Sequence, residues 1–468
     1  MLLGINDTGF GTVVILGLSL CVNGLFNKYY FVYVCHYIFI IWSLFRNKKI
    51  QMGNDNLLCF KWLDTIKRKW VFVCICIITF SLLTGCWDRI EIEDRGTILG
   101  LSIDPIGGEA PAGITGPYAK SDSTGYRLTA QIAIPGRIPL GPIGSSGGGA
   151  TQRPVWVVST TGKTIDDAMN KMQQQLADKI FLGQLRVITV NQKIARSVGL
   201  KDTQDFFRRN AEIRRLCWLL ISDGNADEAM EAAPKLERVP TLYLVSTMEH
   251  AVELGKMPNV FLGNYWSALS AKGMDPVLPL IKVIGSARDQ IETEGVAVFR
   301  GEKMVGMLDA IETGIFLEIR NMHKSGYGVA LPIPGDPKHS VIFKALNRKT
   351  DIRCKFVNGH PSFNAYTVVP SKIEEKTGTK SLDKREVIDQ IANEASETLT
   401  NGQMKLIRKL QGLHADPFGF GEIVRGQEPR YWKNKMKNSH DKWDDQFSKT
   451  PFQSHVKVFI QRSGMSAK

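Results

Sequence analysis

The stretch VWVVSTTGKTIDDAMNKMQQQLADKIFLGQLRVITV, Val155 to Val190, changes its hydrophobic period twice. Val155 to Ser159 reads as a strand. Thr164 then opens a helix, because Ile165, Ala168, Met169, Met172 and Leu176 recur at helical spacing. Leu185 to Val190 is again a short apolar strand. Short helices follow near 192–198 and 202–209, and Leu216 to Ser222 is another apolar strand. Strands alternating with helices imply a sheet covered by helices, so the fold class is α/β (α+β).

The same reading extends outward. Gly96 to Asp104 is a strand ending at Pro105, and the Gly-, Pro- and Ser-rich residues 105–125 form a loop. Tyr126, Leu128, Ala130, Ile132 and Ile134 alternate along one face of a strand, which Pro135 stops. Residues 135–150, PGRIPLGPIGSSGGGA, make a second loop; its glycines precede a strand rather than a helix, so a phosphate cradle is a weak reading. Toward the C-terminus, 223–275 reads as helical and loop-rich, with a strand at Leu278 to Ile284. Glu294 to Arg300 and Lys303 to Leu308 suit a hairpin, and Asp309 starts a helix to about Ile319. Ile342 to Leu346, Ile352 to Val357 and Phe363 to Val369 are expected to be antiparallel neighbours.

A long helix follows, with Ile388, Ile391, Ala395, Leu399, Leu406, Leu410 and Leu413 on one stripe. Asp383 with Glu386 resembles a capping box at its start, and Gly402 marks a place to kink. Asp416-Pro417 is expected to open a short helix, and Trp432, Met436, Trp443 and Phe447 mark another. His455 to Arg462 alternates as a last strand. The expected architecture is multi-domain, with three parts, each a mixed or antiparallel sheet with flanking helices. These are a sheet-and-helix domain at 86–222, a helical, loop-rich region or small domain at 223–292, and a domain at 293–464 with the long helix and final strand.

Ahead of this body stands a different kind of sequence. Residues 61–69 are a basic flank, and Val71 to Leu83, VFVCICIITFSLL, is an apolar run too short for a comfortable membrane span and suited to a signal-peptide core. Leu83-Thr84-Gly85-Cys86 comes next. Leu83, Thr84 and Gly85 are the expected signal-peptidase recognition residues, the last two small enough for the backbone to enter a lipoprotein peptidase. The Cys86 thiol is the expected lipidation site, taking a diacylglyceryl group through a thioether before cleavage makes it residue one. Two acyl chains, at about 0.8 kcal/mol per buried CH₂, hold a protein firmly to a bilayer. Residues 52–85 are thus a lipoprotein signal peptide, unless the run is a transmembrane helix ending at a chance cysteine. Residues 1–51 form an extension with two readings. Met52 as the true start is favoured; otherwise Tyr29 to Phe45 spans the membrane, with the basic loop after it kept cytoplasmic.

The 468 residues are 43% hydrophobic and 22% charged, which suits a folded chain of two or three domains. The net charge of +13 is uneven: residues 1–86 contribute +5 and residues 405–468 contribute +7, leaving 87–404 near neutral. That distribution argues against nucleic acid as a partner. Six of eight cysteines lie at or before Cys86; Cys217 and Cys354 sit in apolar, strand-like runs and read as buried free thiols, with a disulfide between them left open.

The eight histidines, at 36, 250, 323, 339, 360, 414, 440 and 455, form no HExxH or CxxC-linked pair, so no zinc spacing appears. No G-x-S-x-G elbow or GxxxxGK[ST] loop is present, and no cofactor is expected. Each histidine reads as solvated or satisfied, though carboxylate pairs that meet only in three dimensions stay open. RYWKNKMKNSHDK, Arg430 to Lys442, mixes aromatics with cations. It is read as a packed helix with Trp432, Met436 and Trp443 inward; the alternative faces anionic lipid headgroups.

Several segments in order resemble a known family: TGCWDRIEIEDRGTILGLSID (84–104), LTAQIAIP (128–135), VVSTTGKTIDDAM (157–169), FLGQLRVITV (181–190) and FFRRNAEIRRLCWLLIS (206–222), then GVAVFRGEKMVGML (295–308), ADPFGFGEIVRGQEPRYWK (415–433) and KVFIQRSG (457–464). Together they resemble the Ger(x)C lipoproteins, the C subunits of spore-germination nutrient receptors. The resemblance implies a lipid-anchored protein at the outer face of the spore's inner membrane, in complex with integral-membrane A and B subunits. It implies a three-domain α/β architecture and no catalytic residue, so that only Cys86 transfers as a functional site. Residues 105–125 and 141–150 look longer than the family pattern, and 1–51 have no counterpart. The leading expectation is a non-enzymatic, lipid-anchored receptor subunit. The rivals are a solute-binding lipoprotein of a transporter, which would need two similar lobes, and a surface hydrolase.

Overall fold

The computed structural model describes residues 94–107, 125–134, 154–234, 237–322, 326, 328–379, 382 and 384–461. The chain divides into two compact units, and all described residues belong to the second, Ile90–Lys468.

The first sheet begins with β1 (Arg95–Pro105), β2 (Tyr126–Ala133) and β3 (Val155–Gly162). Helix α1 (Ile165–Gln173) follows, started by the Thr164 hydroxyl, which accepts the Asp167 N–H. Then come β4 (Lys179–Phe181), β5 (Val187–Asn191), α2 (Gln192–Ser197), α3 (Lys201–Arg209) and β6 (Trp218–Ser222). A 3₁₀ turn at Asp227–Met230 leads into α4 (Pro240–Glu253) and α5 (Leu262–Ser270), then β7 (Val277–Ile284), β8 (Gln290–Arg300) and β9 (Lys303–Leu308).

These strands form one nine-stranded sheet, ordered β3-β2-β1-β5-β6-β7-β8-β9, with β4 beside the start of β1. Its centre, β1-β5-β6-β7, is parallel; β2–β3 and β8–β9 are antiparallel wings. Every residue of β5 (VITVN) and β6 (WLLIS) is buried, as a parallel centre covered on both faces requires. One face packs on Ile165, Ile194, Phe207 and Tyr265 of α1, α2, α3 and α5. The other packs on α4 and on the C-terminal helices. The sheet runs through segments 86–222 and 223–292 and into 293–464, so its strands share one layer across those sequence boundaries.

The chain continues with α6 (Ala310–Ile319), opened by a reciprocal cap between Asp309 and Glu312. The second sheet comprises β10 (Val329–Ile333), β11 (Asp336–Ala345), β12 (Lys349–Val357), β13 (His360–Lys376) and, at the chain's end, β14 (Phe452–Gln461). The three expected neighbours are antiparallel, as read; β13 is much longer than Phe363–Val369 because both its ends pair, one with β12 and the other with β11. β14 lies parallel to β13, and its outer edge is not left bare. The Val456 and Val458 N–H groups donate to Thr400 and Ser396 of the long helix α7 (Arg385–Gly412).

Two local expectations concern α7. Its N-cap is Lys384, which makes no side-chain cap bond; Asp383, on which the expected capping box rests, lies outside the described residues. The helix also continues without interruption through Gly402. There the missing side chain admits Ile315, whose Cδ1 would lie 2.9 Å from an added Cβ. The C-terminal helices are α8 (Phe420–Gln427), helical turns over 429–436, and α9 (His440–Phe447). Trp432, Met436, Trp443 and Phe447 are all buried, so Arg430 to Lys442 is packed as first read. Cys217 and Cys354 are both free thiols.

Candidate functional site

Leu83, Thr84, Gly85 and Cys86 lie outside the described residues. Among the described residues, a cluster of buried charge gathers where 272–275, just before β7, meets 415–444.

The motif ADPFGFGE, Ala415 to Glu422, makes that joint. The expected helix start at Asp416 is displaced to Phe420, because the Asp416 carboxylate folds a turn around itself. Asp416 Oδ1 accepts the N–H of Phe418 at 3.1 Å and Gly419 at 3.0 Å; Oδ2 accepts Gly421 N–H at 2.9 Å and Trp443 Nε1–H at 2.8 Å. Gly419 takes φ +78° to close the turn. Asp275 and Asp416 are bonded in both directions: Asp275 N–H donates to the Asp416 backbone carbonyl, and Asp416 N–H donates to the Asp275 carboxylate Oδ2, each at 2.8 Å. Gly421 lies against Gly273, where a Cβ would sit 2.5 Å from the Gly273 Cα and 2.6 Å from the Trp443 indole nitrogen. Glu422 then accepts the N–H groups of Lys272 and Gly273 at 3.0 and 2.9 Å. Phe420 stacks on Phe363 and Phe452 of the second sheet. One eight-residue turn therefore ties the two sheets together.

Beside it, His440 is held between two fully buried carboxylates. Asp275 Oδ1 is 3.1 Å from Nε2 and Asp444 Oδ2 is 3.2 Å from Nδ1. Arg300 Nε donates to the same Asp444 oxygen at 3.1 Å. Burial alone would lower the His440 pKa, but hydrogen bonds to Asp275 and Asp444, with their charge, raise it to about 10. The ring is an imidazolium at neutral pH. Burial pushes the Asp416 carboxyl up to about 7, against the pull of its N–H donors.

Asp275, His440 and Asp444 offer ligand atoms within 4.8 Å of one another. As placed, however, each ring nitrogen is spent on a different carboxylate, and one ion cannot take both sides of the ring. The arrangement is an ionic clamp. Each ring nitrogen has a carboxylate partner, so the cluster ties Asp275, ahead of β7, to His440 and Asp444 of α9.

A cleft of roughly 670 Å³ opens between α6, α7 and the inner face of β10 and β11. Its walls are mostly apolar, including Ile315, Val329, Phe343 and Leu399. At its base, Glu318 accepts from Gln403 Nε2 at 2.5 Å, and the Gln403 carbonyl accepts from Ser454 at 2.7 Å. These polar groups are committed to one another.

Sequence reasoning did not single out Asp275, Gly273, His440 or Asp444. The available signal was ADPFGFGE, whose density of Gly, Asp and Phe has no helical or strand period, which is the mark of a built turn.

Two family models match the chain: the spore germination protein N-terminal domain over residues 88–283, and the spore germination B3/GerAC-like C-terminal domain over 294–464. The chain is 22% identical to spore germination protein KC of Bacillus subtilis (strain 168), covering 85% of this chain and 97% of that one. It is 25% identical to spore germination protein B3 of the same organism, over 84% and 98%, and 26% identical to its putative spore germination protein YfkR, over 75% and 87%. Of solved structures, the crystal structure of the GerBC protein is similar at 20% identity and a TM-score of 0.48, covering 74% of this chain and 96% of that one. The class is thus a two-part spore germination protein. The chain belongs to the Ger(x)C family, the C-type subunits of that class. The joint described above connects the two matched regions, with Gly273 and Asp275 in the first and Arg300, Asp416, His440 and Asp444 in the second.

Proposed function

We propose that the chain is a lipid-anchored, non-enzymatic subunit of a germinant receptor, needed to initiate spore germination. Acylated Cys86 holds it at the outer face of the spore's inner membrane, beside integral-membrane A and B subunits. One observation carries the reading: the family match begins at residue 88, so cleavage before Cys86 leaves the family body whole and puts the lipid at its first residue. The committed partners of His440 and Asp416 support a structural rather than a chemical role for the body's buried charge. The two sheets differ in size and strand order, which disfavours a two-lobed solute receptor.

Cys86→Ala tests the anchor in sporulating cells. The variant is expected to lose labelled palmitate, leave the membrane fraction and slow nutrient-triggered germination, with its level followed by immunoblot. Palmitate labelling and full germination in the variant would contradict the reading.

A further inference from the structure

The five-stranded sheet buries one face, Phe363 stacking on Phe420 of α8 and Val369, Val456 and Val458 packing with Ile391 and Ala395 of α7, while the alternate residues of its strands point the other way and stay accessible. The register arranges that open face in rows. Lys344 lies opposite Lys372. In the next row Pro370 lies opposite Phe459, and the N–H of Leu346 bonds the Pro370 carbonyl. Leu346 and Phe459 are 44% and 48% exposed. Beyond them Val368 sits between Lys349 and Lys457. An exposed apolar row, Leu346–Pro370–Phe459, therefore lies between two rows of lysines. Tyr366 follows, with the His455 ring stacked on it at 4.9 Å and the Arg353 guanidinium 4.9 Å from its centre.

With Lys355, the face carries six cations, Lys344, Lys349, Arg353, Lys355, Lys372 and Lys457, against Asp351, Glu374 and Glu375, a net of +3. Residues 87–404 as a whole sum only to +1, from +8 after residue 86 less +7 in 405–468. The pairing of strands distant in sequence concentrates the charge.

We propose that this face seats on an anionic phospholipid surface. Lysine is depleted at protein–protein interfaces, which disfavours a protein partner for so lysine-rich a face. A single-stranded nucleic acid needs an open aromatic face for stacking. The Tyr366 ring is already engaged by side chains from the strands on both sides of it, and the Phe459 ring has the Lys457 ammonium 5.4 Å from its centre. A headgroup layer asks for neither a fitted groove nor a free ring. It asks for cations near phosphates and a modest apolar and aromatic element at the acyl boundary. The inference deepens the membrane reading above, and it is tested without Cys86.

The test uses residues 90–468, which form a compact unit of their own, in co-sedimentation with vesicles of phosphatidylcholine alone or containing phosphatidylglycerol. The body is expected to bind the anionic vesicles, to release them as salt rises, and to ignore the neutral ones. Each lysine near such a surface contributes about fivefold, or about 1 kcal/mol. Combining Lys349→Gln, Lys355→Gln and Lys457→Gln should therefore cost on the order of 100-fold in partitioning, and Phe459→Ser a further severalfold. Thermal unfolding checks that the variants fold; Lys457→Gln alone supplies a fivefold readout if the triple variant does not. Equal binding to both vesicle types, or undiminished binding by the lysine variants, would overturn the proposal. So would a body that ignores vesicles but is retained by immobilised polyglutamate through the same lysines, which would assign the face to an acidic protein. Because acylation is read separately by palmitate labelling, failure here leaves the anchor standing.

Discussion

His440 shows what one residue contributes when the fold surrounds it. Its pKa in the folded chain, about 10, lies above the ordinary value of 6.5. The imidazolium therefore stabilises the fold fully below about pH 6.5, and its contribution is lost as pH rises through about 10. Thermal unfolding of wild type and His440→Gln should be furthest apart near pH 6 and converge as pH approaches 10. A gap that widens with pH would contradict the clamp. In the sequence, His440 reads only as satisfied or solvated, because Asp275, one of its two partners, is 165 positions earlier in the chain. The partner 4 positions on, Asp444, fits helical spacing, but spacing cannot reveal that both carboxylates are buried. Asp416 is the same kind of case: its identity is visible, yet its four N–H donors are assembled only by the turn it nucleates.

At the scale of elements, local periodicity was informative and pairing was not. α1 falls where apolar spacing puts it, since its buried Ile165, Ala168, Met169 and Met172 stand at i, i+3, i+4 and i+7; α2 and α3 form at the short helices expected near 192–198 and 202–209. The β8–β9 hairpin likewise follows from two short runs around Gly301-Glu302. β10 was not legible, because VALPI is short and contains Pro332, a residue that weakens a strand reading. The parallel pairing of β14 with β13 was hidden too, as no local pattern distinguishes parallel from antiparallel partners. Helix α8 makes the close approach at the joint measurable. Gly421→Ala would drive a Cβ into Gly273 and Trp443, and is expected to cost about 1–3 kcal/mol and a few degrees of Tm. Gly426→Ala, in the same helix, meets nothing within 4 Å and should be neutral or stabilising by up to about 1 kcal/mol. Equal effects of the two would argue against packing at the Gly273–Gly421 contact.

Across the whole molecule, the α/β class was readable because strands and helices alternate through the first half of the body. The joining of both halves was not, since β8 and β9 extend a sheet begun almost 200 residues earlier, at Arg95. Chain-averaged charge suggested a neutral body, yet register collects lysines from four strands onto one face. The central claim concerns the chemistry at the body's first residue, and mass spectrometry of the protein extracted from spore membranes tests it most directly. The account predicts an N-terminal peptide that begins at Cys86 and carries the mass of a diacylglyceryl group on its sulfur. A peptide reading unmodified through Leu83-Thr84-Gly85-Cys86 in the membrane-bound protein would contradict it.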